Sequence, residues 1–257
     1  MPLDEHRFQV SLDLTGRNPQ QIALTIAGAL QGSAEHRKTE LRAPWIVTDV
    51  RGDVWRMMPL DARGTRVQLS TPVLAYLDLA LLQDALRAVR LGGARIDADS
   101  NAALMVDAAL LDARATANLT KIVEKQQQLL ARAFGLRADA MRARAQKGAP
   151  FARGAIAFDV GATLHAGELG AAIVLALAIV ERARTTRAAS SKVRPFSAVS
   201  ARYDFRCFLL RLGLIGEPYR GAREQLMKRL PGSSAWKHGR PARTAAARSS
   251  IEPGAFG

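Results

Sequence analysis

The residues that could do chemistry sit on short alternating stretches. Ala155 to Val160 reads Ala-Ile-Ala-Phe-Asp-Val between Gly154 and Gly161 and runs into a long apolar segment, the pattern of a strand that ends in a turn and feeds a helix. Side chains alternate faces along a strand, so Ile156, Phe158 and Val160 are assigned to a core and Ala155, Ala157 and Asp159 to the opposite face, where function is to be sought. His165 stands at the start of the following helix. An imidazole there could move a proton or could cap and pack, and no second titratable partner lies near it in sequence. On the first alternating stretch, Ser11 and Asp13 are two residues apart and therefore share a face. Two carboxylates at that spacing can hold one hard cation, but only Asp13 is a carboxylate.

The elements that must position these groups follow from periodicity. Arg7 to Leu14 alternates apolar and polar residues and reads as a half-buried strand. Asn18-Pro19 supplies a cap and a first-turn proline for a helix to about Gln31, stopped by Gly32. Trp45 to Val50 and Val54 to Met58 form a hairpin around Arg51-Gly52-Asp53, a plain turn rather than an adhesion motif. Arg66 to Thr71 is another strand, Tyr76 to Leu91 an amphipathic helix closed by Gly92-Gly93, and Ala102 to Asp107 a strand after a turn at Asp97 to Asn101. Ala115 to Phe134 is a long helix, Arg137 to about Gln146 a second helix, and His165 to Arg184 a central helix apolar enough to be buried. Ala201 to Leu212 and Pro218 to Leu230 complete the helices.

Two segments, Thr163-Leu164-His165-Ala166-Gly167-Glu168 and Tyr203 to Gly216, give the chain a resemblance to the amidoligase family, which is related to glutamine synthetase and the carboxylate-amine ligases. The resemblance spans roughly Arg7 to Trp236. It implies an α+β fold: a curved antiparallel sheet, glutamine-synthetase-like, with helices packed on one side, here followed by C-terminal helices. For intact members it implies ATP- and Mg-dependent joining of a carboxylate to an amine through an acyl phosphate. The family's site positions, of types Glu, Glu, Glu, His, His, Glu and Arg, fall here on Ser11, Asp13, Gln68, Ala103, Met105, Ala157 and Asp159. That chemistry gathers negative charge and needs metal and cations to neutralise it, so the lining looks altered while the frame is kept. The expectation is a catalytically degenerate ligase scaffold, a binding or regulatory partner of an active relative or of a peptide or protein substrate. The alternative keeps activity through a rebuilt site in which Asp13, Asp107 and Asp159 hold the metal, with Gln68 and His165 as further site-face candidates.

Composition bounds these readings. A chain of 257 residues with 48% hydrophobic content can bury a sizeable core, expected as a domain over 1–232 followed by a basic disordered tail over 233–257. The longest wholly apolar run, Ala171 to Val180, is too short to span a bilayer, and Met1 to Leu14 carries too many charges for a leader, so no membrane association and a cytoplasmic location are expected. With Cys207 as its single cysteine and four scattered histidines, the sequence has no disulfide and no structural zinc pattern. Phosphate-loop, dinucleotide, zinc-protease and serine-elbow motifs are absent. The net charge of +14 concentrates between Arg182 and Arg248, where sixteen Lys or Arg face three acids. Such a region could attract nucleic acid or another anionic polymer, a third reading, or simply keep the protein soluble.

Overall fold

The computed structural model describes residues 3–40, 42–97, 102–134, 136, 143–146, 150–160, 166–193 and 195–237. Its framework is one open antiparallel sheet. The strands are β1 (Arg7–Thr15), β2 (Ser33–His36), β3 (Trp45–Thr48), β4 (Val54–Pro59), β5 (Arg66–Ser70), β6 (Leu74–Ala75), β7 (Arg95–Ile96), β8 (Ala102–Asp107), β9 (Ala143–Gln146) and β10 (Ala155–Val160). They run in the order β2-β3-β4-β5-β1-β8-β10-β9, with β6 and β7 pairing the two ends of β1. β1 is the longest strand and the centre of the sheet, and its alternation explains its place: Phe8, Val10, Leu12 and Leu14 are all buried while the residues between them are half-buried.

The helices are α1 (Pro19–Ala29), α2 (Leu79–Leu91), α3 (Ala113–Phe134), α4 (Ala166–Thr185), α5 (Ala201–Arg211) and α6 (Arg220–Met227). Asn18 caps α1 through a reciprocal pair of bonds with Gln21, as the Asn-Pro signal predicts. All the helices lie on one side of the sheet. α4 is the keystone, because Leu169 and Ala171 to Val180 are buried on every side, between β8 and β10 beneath and α2, α3 and α6 around it. A helix apolar all round can be stable in water only when it is enclosed, and each fully buried Leu, Ile or Val contributes roughly 1.5–3 kcal/mol. Leu226 and Leu230 join the same core, so the C-terminal helices belong to the domain rather than to an appendage.

α4 ends in a charged clamp. Glu181 is buried and accepts two bonds of 2.9 Å from the Arg184 guanidinium, and its Oε2 lies 3.2 Å from His6 Nε2 just ahead of β1. A carboxylate taken out of water needs such cover. Burial holds the His6 imidazole below its ordinary value, against the opposing pull of the Glu181 hydrogen bond and charge.

The Arg-Gly-Asp triplet is the turn that its composition predicts. Asp49 accepts from the amides of Arg51 and Asp53 and from the Trp55 indole, Gly52 takes a positive φ of 83°, and Arg51 pairs with Asp53 and Asp78. One expectation fails. Ala143–Gln146 is a strand paired with β10, not the end of a second helix, and 137–142 lie outside the described residues. Ala, Arg and Gln favour helix by local propensity, but the open edge of β10 offers a row of backbone partners that overrides it. Residues 238–257 of the expected tail also lie outside the described residues, and among the described residues no helix is long and apolar enough to cross a membrane.

Two outcomes test this packing. A Cβ at Gly32 would lie 2.2 Å from the Thr48 carbonyl oxygen, whereas one at Gly170 would meet the flexible end of Gln83 at 2.1 Å. Gly32→Ala should therefore lower the denaturation midpoint by an equivalent of about 1–3 kcal/mol, and Gly170→Ala should cost clearly less, because Gln83 can swing away. The second concerns pH. With a folded-state pKa depressed below the unfolded 6.5, His6 takes up its proton more readily in the unfolded chain, so its contribution is complete above about pH 6.5 and falls as pH drops towards the folded value. His6→Gln should flatten the stability profile in that window, by up to about 1.4 kcal/mol per pH unit.

Candidate functional site

The helix-free face of the sheet is where the site positions come together. Register reads them off in rows. Met58, Gln68 and Asp13 stand side by side across β4, β5 and β1, with Asp97 bonded to Asp13 through the backbone just beyond β7. The next row runs Arg56, Ser70, Ser11, Ala103 and Asp159. A third contains Gln9, Met105 and Ala157, with Arg144 of β9 opposite Ala157 in the pairing. Directly opposed residues of an antiparallel pair point to the same face, so Ser11, Asp13, Gln68, Ala103, Met105, Ala157 and Asp159 share one surface although they span most of the sequence. All of them are half-buried. His165 lies outside the described residues.

What that surface can do depends on its acids. Asp13 lies 3.8 Å from the Arg66 guanidinium, which reaches on to Asp97 at 2.8 Å. Arg66 thus occupies the space between two opposed carboxylates and supplies the positive charge that a metal ion would otherwise bring. Asp107 Oδ1 accepts a bond of 2.9 Å from the Ala109 amide and closes the turn after β8, the usual local use of an aspartate at a strand end. Asp159 also has a partner.

Distance separates the acids as well. Phe8 opposes Val106, which sets Asp107 level with Arg7, six residues from Asp13 along β1. At 3.3–3.4 Å per residue that is about 20 Å. Asp159 lies two strands and two residues from Asp13, about 12 Å away on the same spacings. Oxygen ligands of one Mg²⁺ at 2.0–2.1 Å sit within about 5 Å of each other. The expected set of Asp13 with Asp107, or with Asp107 and Asp159, therefore does not form a single-ion centre in this geometry. Among the described residues no group of three His, Cys, Asp or Glu is placed to hold a metal.

Sequence reasoning missed Arg66 and Asp97 as parts of this face. Arg66 looked like the first residue of a strand and Asp97 like a turn residue. The available signal was the alternation that carries Arg66, Gln68 and Ser70 on one face, the parity of Asp13.

The basic last quarter is less free than its charge suggests. Arg229 pairs with the buried Glu168 at 2.9 Å, tying the chain just after α6 to the start of α4. Arg220 pairs with Glu217 and Glu224, Arg223 donates to the carbonyls of Leu214 and Gly216, and Arg202 donates to those of Met227 and Lys228. These arginines act as internal staples. They are four of the sixteen cations, so the bare count overstates the charge left for an anionic polymer.

No protein-family model matches the chain, and no curated protein is significantly similar to it.

Asp107→Ala should lower stability by about 1 kcal/mol, the worth of one turn hydrogen bond, and by the same amount with and without millimolar Mg²⁺. A thermal midpoint that rises with Mg²⁺ in the parent and not in the variant would give Asp107 back its role as a ligand.

Proposed function

We propose that the chain is an amidoligase-like protein, an ATP-dependent carboxylate-amine ligase scaffold that has lost turnover and serves as a binding or regulatory partner of an active relative. The observation that carries the reading is the shared face. Positions that the resemblance equates with the ligase's acids and bases converge on one half-buried surface, and five of them, Ser11, Gln68, Ala103, Met105 and Ala157, carry no charge.

Phosphoryl chemistry at such a surface needs cations placed where charge develops, and metal ions are the usual source. Here the acids that could hold a metal are engaged: Asp13 beside Arg66, and Asp107 in its turn. Losing one electrostatic group of this kind commonly costs about 10²–10³ in rate. Effects within one site do not simply multiply, yet of the seven positions only Asp13 and Asp159 keep an ionisable side chain.

The full-length protein with Mg-ATP, a carboxylate and an amine should release no ADP above the rate of a blank, and calorimetry with Mg-ATP should show no saturable heat. Magnesium-dependent ADP release that requires both organic substrates would overturn the reading.

A further inference from the structure

The segment ahead of β1, Leu3 to His6, is held by two side chains rather than by a ladder. Leu3 is 1% exposed and belongs to the core, and His6 is 1% exposed against the end of α4. Asp4 and Glu5 between them form an exposed turn, closed by the His6 amide on the Leu3 carbonyl at 3.0 Å. Strand pairing begins only at Arg7, opposite Ala75. A stretch with so few backbone bonds can open by itself, without unfolding the sheet behind it.

The His6 ring is the part of this anchor that pH can change. Glu181 Oε2 lies 3.2 Å from His6 Nε2, and the same carboxylate accepts two bonds from Arg184. A carboxylate only accepts, so Nε2 carries the hydrogen of the neutral ring and the tautomer is fixed. Nδ1 is then a bare lone pair, buried and without a hydrogen-bond partner among the described residues. A proton added there would create a buried N–H and a buried positive charge with no acceptor in reach.

The charges around the ring do not remove that penalty. Burial is the largest influence and holds the imidazole below its ordinary value; the Glu181 hydrogen bond and charge pull the other way, Arg184 adds to the depression, and Glu5, the weakest, opposes it. Arg184 pairs with Glu181 at 2.9 Å and reaches Glu5 at 3.9 Å, so both negative charges are partly used. Arg114 of α3, itself paired with Asp112, donates to the Arg184 carbonyl at 3.4 Å. Asp4 acts on Tyr76 together with Tyr219, and Arg7 shares the parity of Ser11 on the sheet's other face.

We propose that Leu3 to His6 is an acid-released latch: protonation of His6 Nδ1 is coupled to undocking of the segment from α4, while the sheet and helices stay folded. The open form lets water meet the imidazolium and takes Leu3 out of the core, leaving an apolar slot and the pair of Glu181 and Arg184 uncovered. The linkage has a definite direction. The undocked ring titrates at about its ordinary 6.5. Opening is therefore independent of pH above that value, rises as pH falls below it by up to about tenfold per unit, and levels off below the docked value.

Amide exchange by NMR on the whole chain, from about pH 7.5 to about pH 5 with each rate divided by its intrinsic value, tests the latch. The His6 amide, bonded to the Leu3 carbonyl, should lose about threefold or more in protection across that range. The amides of Val10 in β1 and Leu177 in α4 should stay at least about a hundredfold better protected than it at every pH. His6→Gln keeps a side-chain N–H for Glu181 and has no proton to gain, so its corrected exchange should be flat. The ring nitrogen shifts of the parent at about pH 7.5 should place the hydrogen on Nε2. A hydrogen on Nδ1, a His6 amide as well protected as Val10 and Leu177, no loss of protection on acidification, or the same loss in His6→Gln would each overturn the proposal. None of these results depends on whether the sheet face turns over ATP.

Discussion

The enclosure of α4 is the constraint on which the rest of the protein depends. A helix that is apolar on every side cannot lie on a surface. It needs a sheet under it and helices around it, and β8, β10, α2, α3 and α6 supply these contacts. The two ends of the helix are its only polar portions, and both are tied down, by Glu168 to Arg229 and by Glu181 to Arg184 and His6. The sheet's oily face, the N-terminal strand and the C-terminal helices are thus gathered by one element. Removing a partner from either charged end would leave a buried carboxylate uncovered, which is far costlier than losing a surface pair.

Committing all the helices to one side leaves the opposite face of the sheet half-buried and available. That face is defined by parity alone: every second residue of β1, β5, β8 and β10 reaches it. A surface of this kind can hold a dense set of functional groups on a rigid frame. In this chain it holds small, neutral and sulphur-bearing side chains, together with acids already engaged nearby. The scaffold's stability comes from the other face, so the site face could change composition without loss of the fold, and a chain could lose a reaction while keeping its architecture.

Much of the fold was legible because local and tertiary preferences agree. The alternation of Phe8 to Leu14, the Asn18-Pro19 start, the Asp49 to Asp53 turn and the all-apolar run of α4 each point to the structure that forms. Ala143–Gln146 was misread because its preference is helical while its fate is decided by the edge of β10, a partner that adjacent sequence does not reveal. The acids were only half legible. Parity put Asp13, Asp107 and Asp159 on matching faces correctly, but parity says nothing of distance along a strand, and about 20 Å separates the first two. Pairings such as Arg66 with Asp97 join positions thirty-one residues apart and have no local signature.

The same limit applies to the basic charge. Counting sixteen cations in the last quarter suggests a single electrostatic surface, yet the fold sorts them by neighbour. Arg184 and Arg229 neutralise buried carboxylates, Arg202 and Arg223 satisfy carbonyls at helix ends, and Arg220 makes exposed pairs worth under about 1 kcal/mol each. That sorting accounts for five of the sixteen cations. Arg182 and Arg211 are among the others, and they border a shallow hollow together with Lys125, a residue outside the basic quarter. Charge excess in a sequence therefore predicts binding only after the structural uses of each cation are subtracted.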